Sequence, residues 1–156
     1  MAMPRRGVAG GTVIDLETFK DFVEQANPHT VFQPLGIRVV SYEVDAFQVA
    51  IDIDERHFQH LGVVHGGIYA LLAESAASMA AARSVDMTKH IVAGVDLNAT
   101  HLKPKRSGTV TATARPIYRG RTTHVYGIDL TDETGELVCV SRCTIAVRQL
   151  RVKSEE

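Results

Sequence analysis

From Leu61 to Arg83 the sequence runs LGVVHGGIYALLAESAASMAAAR. Up to Ala82 it contains no Lys or Arg, yet it carries His65, Gly66, Gly67 and Glu74, so it is too polar and too broken for a bilayer span. The paired glycines mark a start, and about Gly67 to Arg83 reads as one long helix, rich in Ala and apolar on nearly every face. Such a helix belongs inside a protein, packed on nearly all sides.

On either side of this helix the hydrophobic period is two. Before it, Leu35, Ile37 and Val39 alternate with Gly36 and Arg38, and Phe47, Val49, Ile51 and Ile53 alternate with Gln48, Ala50 and Asp52. These are two strands, with a turn near Ser41 to Asp45. After it, Ile91, Ala93, Val95, Leu97 and Ala99 are read as one face of a strand ending at Pro104. Val110, Ala112 and Ala114 begin another, and Tyr126, Ile128 and Leu130 lie on a third. A turn at Asp132 to Gly135 leads to a last strand, Leu137 to Val147. Upstream of all these, Leu16, Phe19, Phe22, Val23 and Ala26 outline a short amphipathic helix, capped by Asp15 and stopped at Asn27-Pro28. Strands are not interleaved with helices, so the sheet is expected to be antiparallel. A long apolar helix beside one such sheet requires the sheet to curl around it. The fold class is therefore α+β, a hotdog arrangement whose open sheet edge favours a second copy. Residues 1–11 are expected to be a mobile tail, 12–150 one domain and 151–156 a charged tail.

The 156-residue length suits one domain with a core that needs no disulfide staples. Seventeen Lys and Arg against 18 Asp and Glu exclude a globally basic surface for duplex nucleic acid, and the absence of Trp argues against a base-stacking platform. Met1 to Gly11 has Arg5 and Arg6 but no apolar run after them, so no secretory signal is read there. Cys139 and Cys143 lie four apart on a strand, about 13 Å, too far for a disulfide. Two Cys without paired His also form no zinc site. A reduced, cytoplasmic chain with no nucleic-acid or membrane partner fits best.

Glu74 stands out among Leu71, Leu72, Ala73, Ala76 and Ala77. A carboxylate there is costly to desolvate and its pKa should rise if it is dry. It is either a base or nucleophile in a cleft, or one residue of an exposed stripe with Ser75, Ser78 and Arg83. Ser78, one turn on, shares its face and either bonds the carboxylate or a water beside it, or is a small packing residue. Gly66 and Gly67 either make a tight turn or open the helix N-terminus to a ligand carbonyl, in the manner of an oxyanion hole. His65 and Gln59 each have an ordinary reading, as structural hydrogen bonder and loop amide. Gly66 and Glu74 are about 12 Å apart along the helix. One reacting carbon cannot touch both on the same helix, whereas two antiparallel helices in a dimer bring one chain's amide near the other's carboxylate. A basic cluster follows: Lys103, Lys105 and Arg106, then Arg119, Arg121, Thr122 and Thr123, either phosphate-binding or a solvated loop run.

The stretch from Gln59 through His65, Gly66 and Gly67, followed by Leu71, Leu72, Ala73, Glu74 and Ser78, resembles the hotdog-fold acyl-CoA thioesterases. Within them it is similar to the PaaI-like branch, nearest to 4-hydroxybenzoyl-CoA thioesterases of the Arthrobacter type. The similarity runs from about Leu35 to Arg148. The resemblance implies that Glu74 acts on the thioester as nucleophile or as base for water, and that the Gly66 amide polarises the carbonyl from the partner chain. Gln59 and His65 would orient the thioester or hold the loop, and Ser78, standing for a Thr, would place water. Lys103, standing for an Arg, would lie near the CoA phosphates with Arg121, Thr122 and Thr123, and Arg151 occupies a further basic position. No metal and no bound organic cofactor are implied, because CoA is part of the substrate. The implied assembly is a homodimer, built further into a dimer of dimers. A CoA-ester-binding sensor that does not cleave is the alternative, and Glu74 argues against it. A hydratase would call for a His/Asp or His/Glu pair at the acyl β-carbon.

Overall fold

The computed structural model describes residues 14–150. Both expected tails, and Arg151 with them, fall outside the described residues. Three α-helices (α1, Leu16–Ala26; α2, Phe32–Leu35; α3, Gly66–Arg83) accompany six strands: β1, Arg38–Ser41; β2, Phe47–Asp52; β3, His90–His101; β4, Thr109–Arg119; β5, Thr123–Asp132; β6, Leu137–Gln149. All strand pairs are antiparallel, in the order β1-β2-β4-β5-β6-β3. The sheet wraps α3, which contacts β2, β3, β4, β5 and β6. This is the hotdog fold. Among the described residues no helix is long and apolar enough to cross a membrane.

Alanine explains how α3 lies so close to the sheet. Ala73, Ala76, Ala77, Ala80 and Ala81 are fully buried, with Leu72 and Tyr69 filling the space between. A larger side chain at one of these alanines would overpack the interface at about 1–3 kcal/mol. The helix is not buried all round. Glu74 and Gly67 are exposed and Leu71, Ser75 and Ser78 half-buried, so one stripe faces outward. The helix also starts one residue earlier than expected, at Gly66, with His65 as N-cap.

Two strand expectations are corrected. Leu35 does not belong to a strand but closes α2, and Gly36 at φ 64° ends that helix. The Gly36 N–H donates to Gln33 O and the Ile37 N–H to Phe32 O, a Schellman closure that only then releases the chain into β1. In β3 the pairing with β6 shifts between Gly94 and Asp96, a bulge at Val95. Ile91 and Val95 therefore face out, 53% and 62% exposed, whereas Leu97 and Ala99 pack against the core. Residues 91 to 99 are thus not one face, because the extra residue inverts the alternation.

α1 is fixed as its sequence requires. Asp15 accepts from the Thr18 N–H at 3.0 Å and from its hydroxyl at 2.6 Å. Phe19 and Val23 enter the core, where Phe19 meets Phe47 and Tyr42 edge-on. Phe22 stays outside, 53% exposed. Cys139 and Cys143 are both free and buried on β6.

His124, at the start of β5, is buried with no partner for Nδ1. Burial, and then the Arg119 charge, hold its pKa below the usual 6.5. The unfolded chain therefore takes up a proton at higher pH than the folded one. The stability of the neutral form is complete above about pH 6.5 and is lost as pH falls from there towards the folded value. Thermal melts from pH 7.5 to 5 should show a falling Tm, with a shallower fall for His124→Phe. Equal slopes would contradict this account of His124.

Candidate active site

The outward stripe of α3 forms the floor of a cleft of about 710 Å³. Its other side is built by α1 and the segment running from Asn27 into α2, with Phe22, Val31 and Phe32 among the lining residues, and Leu97 of β3 completes it. Glu74 and Ser78 both line this cleft, one helical turn apart, with Gly67 on the same wall. The size is that of a small-molecule site.

Glu74 is exposed in the single chain, so the dry burial expected of its carboxylate is not what one protomer provides. Its position is nonetheless defined. The carboxylate lies over Gly94 of β3, where any Cβ would collide with Glu74 Oε1. A glycine inside a strand marks such a close approach. Behind it, burial pushes the Cys143 thiol up to about 12, with the Glu74 and Asp96 charges adding to the effect. That thiol stays protonated and is no nucleophile at neutral pH.

The start of α3 opens on a second, smaller cavity of about 300 Å³, lined by Gln59, Gly66, Tyr69, His101 and Lys103. His65 acts as a cap, its Nδ1 accepting from the Gly67 N–H at 2.8 Å. The Gly66 N–H is left with no acceptor among the described residues. It is a backbone donor at the positive end of a helix dipole. A Cβ there would come within 2.6 Å of His101 Nε2, so any side chain at this position would have to displace that ring. Gln59 Oε1 accepts from the Leu61 N–H within its own loop, which leaves the side-chain amide N–H groups for a ligand. His57 holds the loop from below, bridging the Asp54 N–H at 3.0 Å and Leu35 O at 2.9 Å.

The basic residues do not form one cluster in a protomer. Lys103 pairs with Glu136. Lys105 is held by Asp132 at 3.0 Å and Glu133 at 3.6 Å, and Arg106 donates to the Leu61 and Gly62 carbonyls. Arg121 and Thr122 are exposed in the β4–β5 turn, beside Thr123. Along β6, His101 pairs with Cys139 and Thr123 with Ala146, seven residues or about 23 Å apart, so Lys103 and Arg121, which lie beyond those two pairs, sit at opposite ends of the sheet. Sequence reasoning missed His101, Gly94 and the α1 wall. A glycine between Ala93 and Val95 was the available signal for Gly94.

One chain thus carries a carboxylate in a broad apolar cleft and, about two helical turns away, a backbone N–H with no acceptor among the described residues at a helix N-terminus, groups of the kind a hydrolase turns on a carbonyl. The comparisons agree with that class. The profile of the Thioesterase superfamily matches residues 61–139. A 1,4-dihydroxy-2-naphthoyl-CoA hydrolase of Listeria monocytogenes is 45% identical over 119 residues, 76% of this chain and 96% of that protein. A thioesterase structure from Haemophilus influenzae superposes with a TM-score of 0.81 at 34% identity, covering 95% of this chain and 100% of the other. A mutant thioesterase from Pseudomonas aeruginosa gives 0.80 at 37% identity, covering 89% and 97%. The chain belongs to the thioesterase superfamily.

Neither cysteine should react in the native protein. Iodoacetamide at pH 8 is expected to leave Cys139 and Cys143 unmodified until denaturant is added, when both label. Rapid native labelling of Cys143 would contradict its burial beside two carboxylates.

Proposed function

We propose that the protein hydrolyses an acyl-CoA thioester, with an aryl acyl group favoured, to the free acid and CoA. The observation that carries this reading is the Glu74 carboxylate, set over Gly94 in an apolar cleft on the central helix of a thioesterase fold. The similarity to a naphthoyl-CoA hydrolase supports the aryl class, and the PaaI-like branch is read from the His65 to Glu74 segment.

Water adds to the thioester carbonyl carbon and the C–S bond breaks. Glu74 either takes the proton from that water or attacks first, giving an anhydride that water then cleaves. The carbonyl oxygen accepts from the Gly66 N–H, with a Gln59 amide donor beside it, and the helix dipole favours the charge that grows there. The departing thiolate needs no strong acid, since a thiol is far more acidic than an alcohol. Ser78, one turn from Glu74, orients the attacking water. No metal and no organic cofactor enters this reaction.

Glu74 and Gly66 act on one carbon only if they come from two chains. β3 is an edge of the sheet, twelve residues long, with Ile91 and Val95 outward. In our reading two copies pair along β3 about a two-fold axis, which sets their α3 helices antiparallel. That pairing supplies the enclosure that Glu74 lacks in one protomer. It also brings Lys103 of one chain towards the β4–β5 turn of the other, so that Lys103, Arg121, Thr122 and Thr123 together meet the CoA phosphates.

Glu74→Ala should lower thiol release from an aryl-CoA ester by a factor of about 10² or more, while still binding CoA. The two are measured by a thiol-trapping dye and by calorimetry. Turnover at the wild-type rate would remove Glu74 from its role. CoA ester binding with no hydrolysis by the wild-type chain would favour a sensing module.

A further inference from the structure

The cleft beside Glu74 extends well beyond the carboxylate, and its far wall is not part of the helix–sheet core. α1 supplies that wall. Its inner face is anchored by Phe19 and Val23, which sets Phe22 at the rim in a fixed place, its ring 6.4 Å from that of Phe19. Val31 stands on the same wall, 45% exposed. Two large apolar side chains thus face an open cleft and leave much of their surface to water. Among the described residues the polar groups along the cleft are Asn27, Thr30, Ser75 and Ser78 besides Glu74, and no Lys, Arg or His side chain lines it.

We propose that Phe22 is a specificity-determining residue, the α1 wall of the acyl site, which selects uncharged acyl groups bulky enough to reach across the cleft from Glu74. The inference rests on the thioesterase reading above. Two physical arguments carry it. A ring or long chain that covers Phe22 removes apolar surface from water on both partners, and a ring adds aromatic contact. An acetyl group attached at a carbonyl beside Glu74 cannot reach that wall and gains nothing from it. An acyl group ending in a carboxylate meets no cationic side chain among the described residues that line the cleft and lies near Glu74, so it is disfavoured.

The selection is tested with 2-naphthoyl-CoA, acetyl-CoA and succinyl-CoA on wild type, Phe22→Ala and Phe22→Tyr. Wild type should prefer the naphthoyl ester, and succinyl-CoA should be the poorer of the two non-aromatic esters. In Phe22→Ala the ratio of kcat/KM for naphthoyl over acetyl should fall tenfold or more, mainly through KM, and Phe22→Tyr should recover most of it. Thermal melts identify a variant that fails through misfolding, and since Phe22 is half exposed no large loss of Tm is expected. Binding of 2-naphthamide, an uncharged naphthyl carbonyl compound read by its fluorescence, gives a measure independent of turnover, and Phe22→Ala should weaken it to a similar degree. An unchanged kcat/KM ratio with unchanged naphthamide binding would overturn the role of Phe22 and leave the thioesterase reading intact. Wild type that cleaves none of the esters would overturn the thioesterase reading. In that case equal binding of naphthamide by wild type and Phe22→Ala would overturn the inference as well.

Discussion

The close contact between the alanine face of α3 and the sheet is the constraint from which the rest follows. With Ala73, Ala76, Ala77, Ala80 and Ala81 against the strands, the rotation of the helix is fixed. Glu74 and Ser78 must then project on the opposite side, towards α1 and the edge strand β3. A larger residue on the inner face would lift or turn the helix and move the carboxylate with it. Packing, more than any hydrogen bond to Glu74, is what sets its direction.

Two glycines then make room on this scaffold for the groups to which we assign the chemistry. Gly94 admits the Glu74 carboxylate against β3, next to a bulge that reverses which residues face the helix. Gly66 admits the His101 ring and leaves a backbone N–H open at the helix start, while His65 satisfies the next one. Helix geometry separates the two features by about 12 Å. The same rigidity that makes each half precise prevents one chain from joining them, which is why we assign the complete site to a pair of chains. Phe22 fits the same logic, since it stands at the exposed rim of α1, outside the face that Phe19 and Val23 bury in the core.

Much of this was legible in the sequence because it rests on periodicity. The apolar run from Leu61, the glycine pair and the period-two segments define six strands around one helix. The isolated acid, its hydroxyl neighbour and the glycines at the helix start were visible as exceptions to that pattern. What escaped depends on contacts between distant residues. Leu35 looked like the first residue of a strand because its neighbours alternate, but Gly36 closes a short helix there. The Val95 bulge inserts a residue that no alternation rule anticipates. Lys103, Lys105 and Arg106 looked like one basic group with Arg121, whereas pairing with Glu136, Asp132 and loop carbonyls occupies them, and strand register carries Arg121 to the far end. His101 comes beside Gly66 only because β3 runs antiparallel to α3.

Subunit complementation tests the shared site most directly. Glu74→Ala removes the carboxylate, and Gln59→Ala removes the amide donor that stands in the same cavity as the Gly66 N–H, without placing a new side chain against His101. Each variant alone should retain little activity. When they are unfolded together and refolded at equal amounts, half of the dimers are mixed, and each mixed dimer holds one site with both groups intact. The account predicts recovery of about one quarter of wild-type activity, by random pairing of two chains. A mixture as inactive as its components, with mixed dimers demonstrated by mass spectrometry, would contradict it.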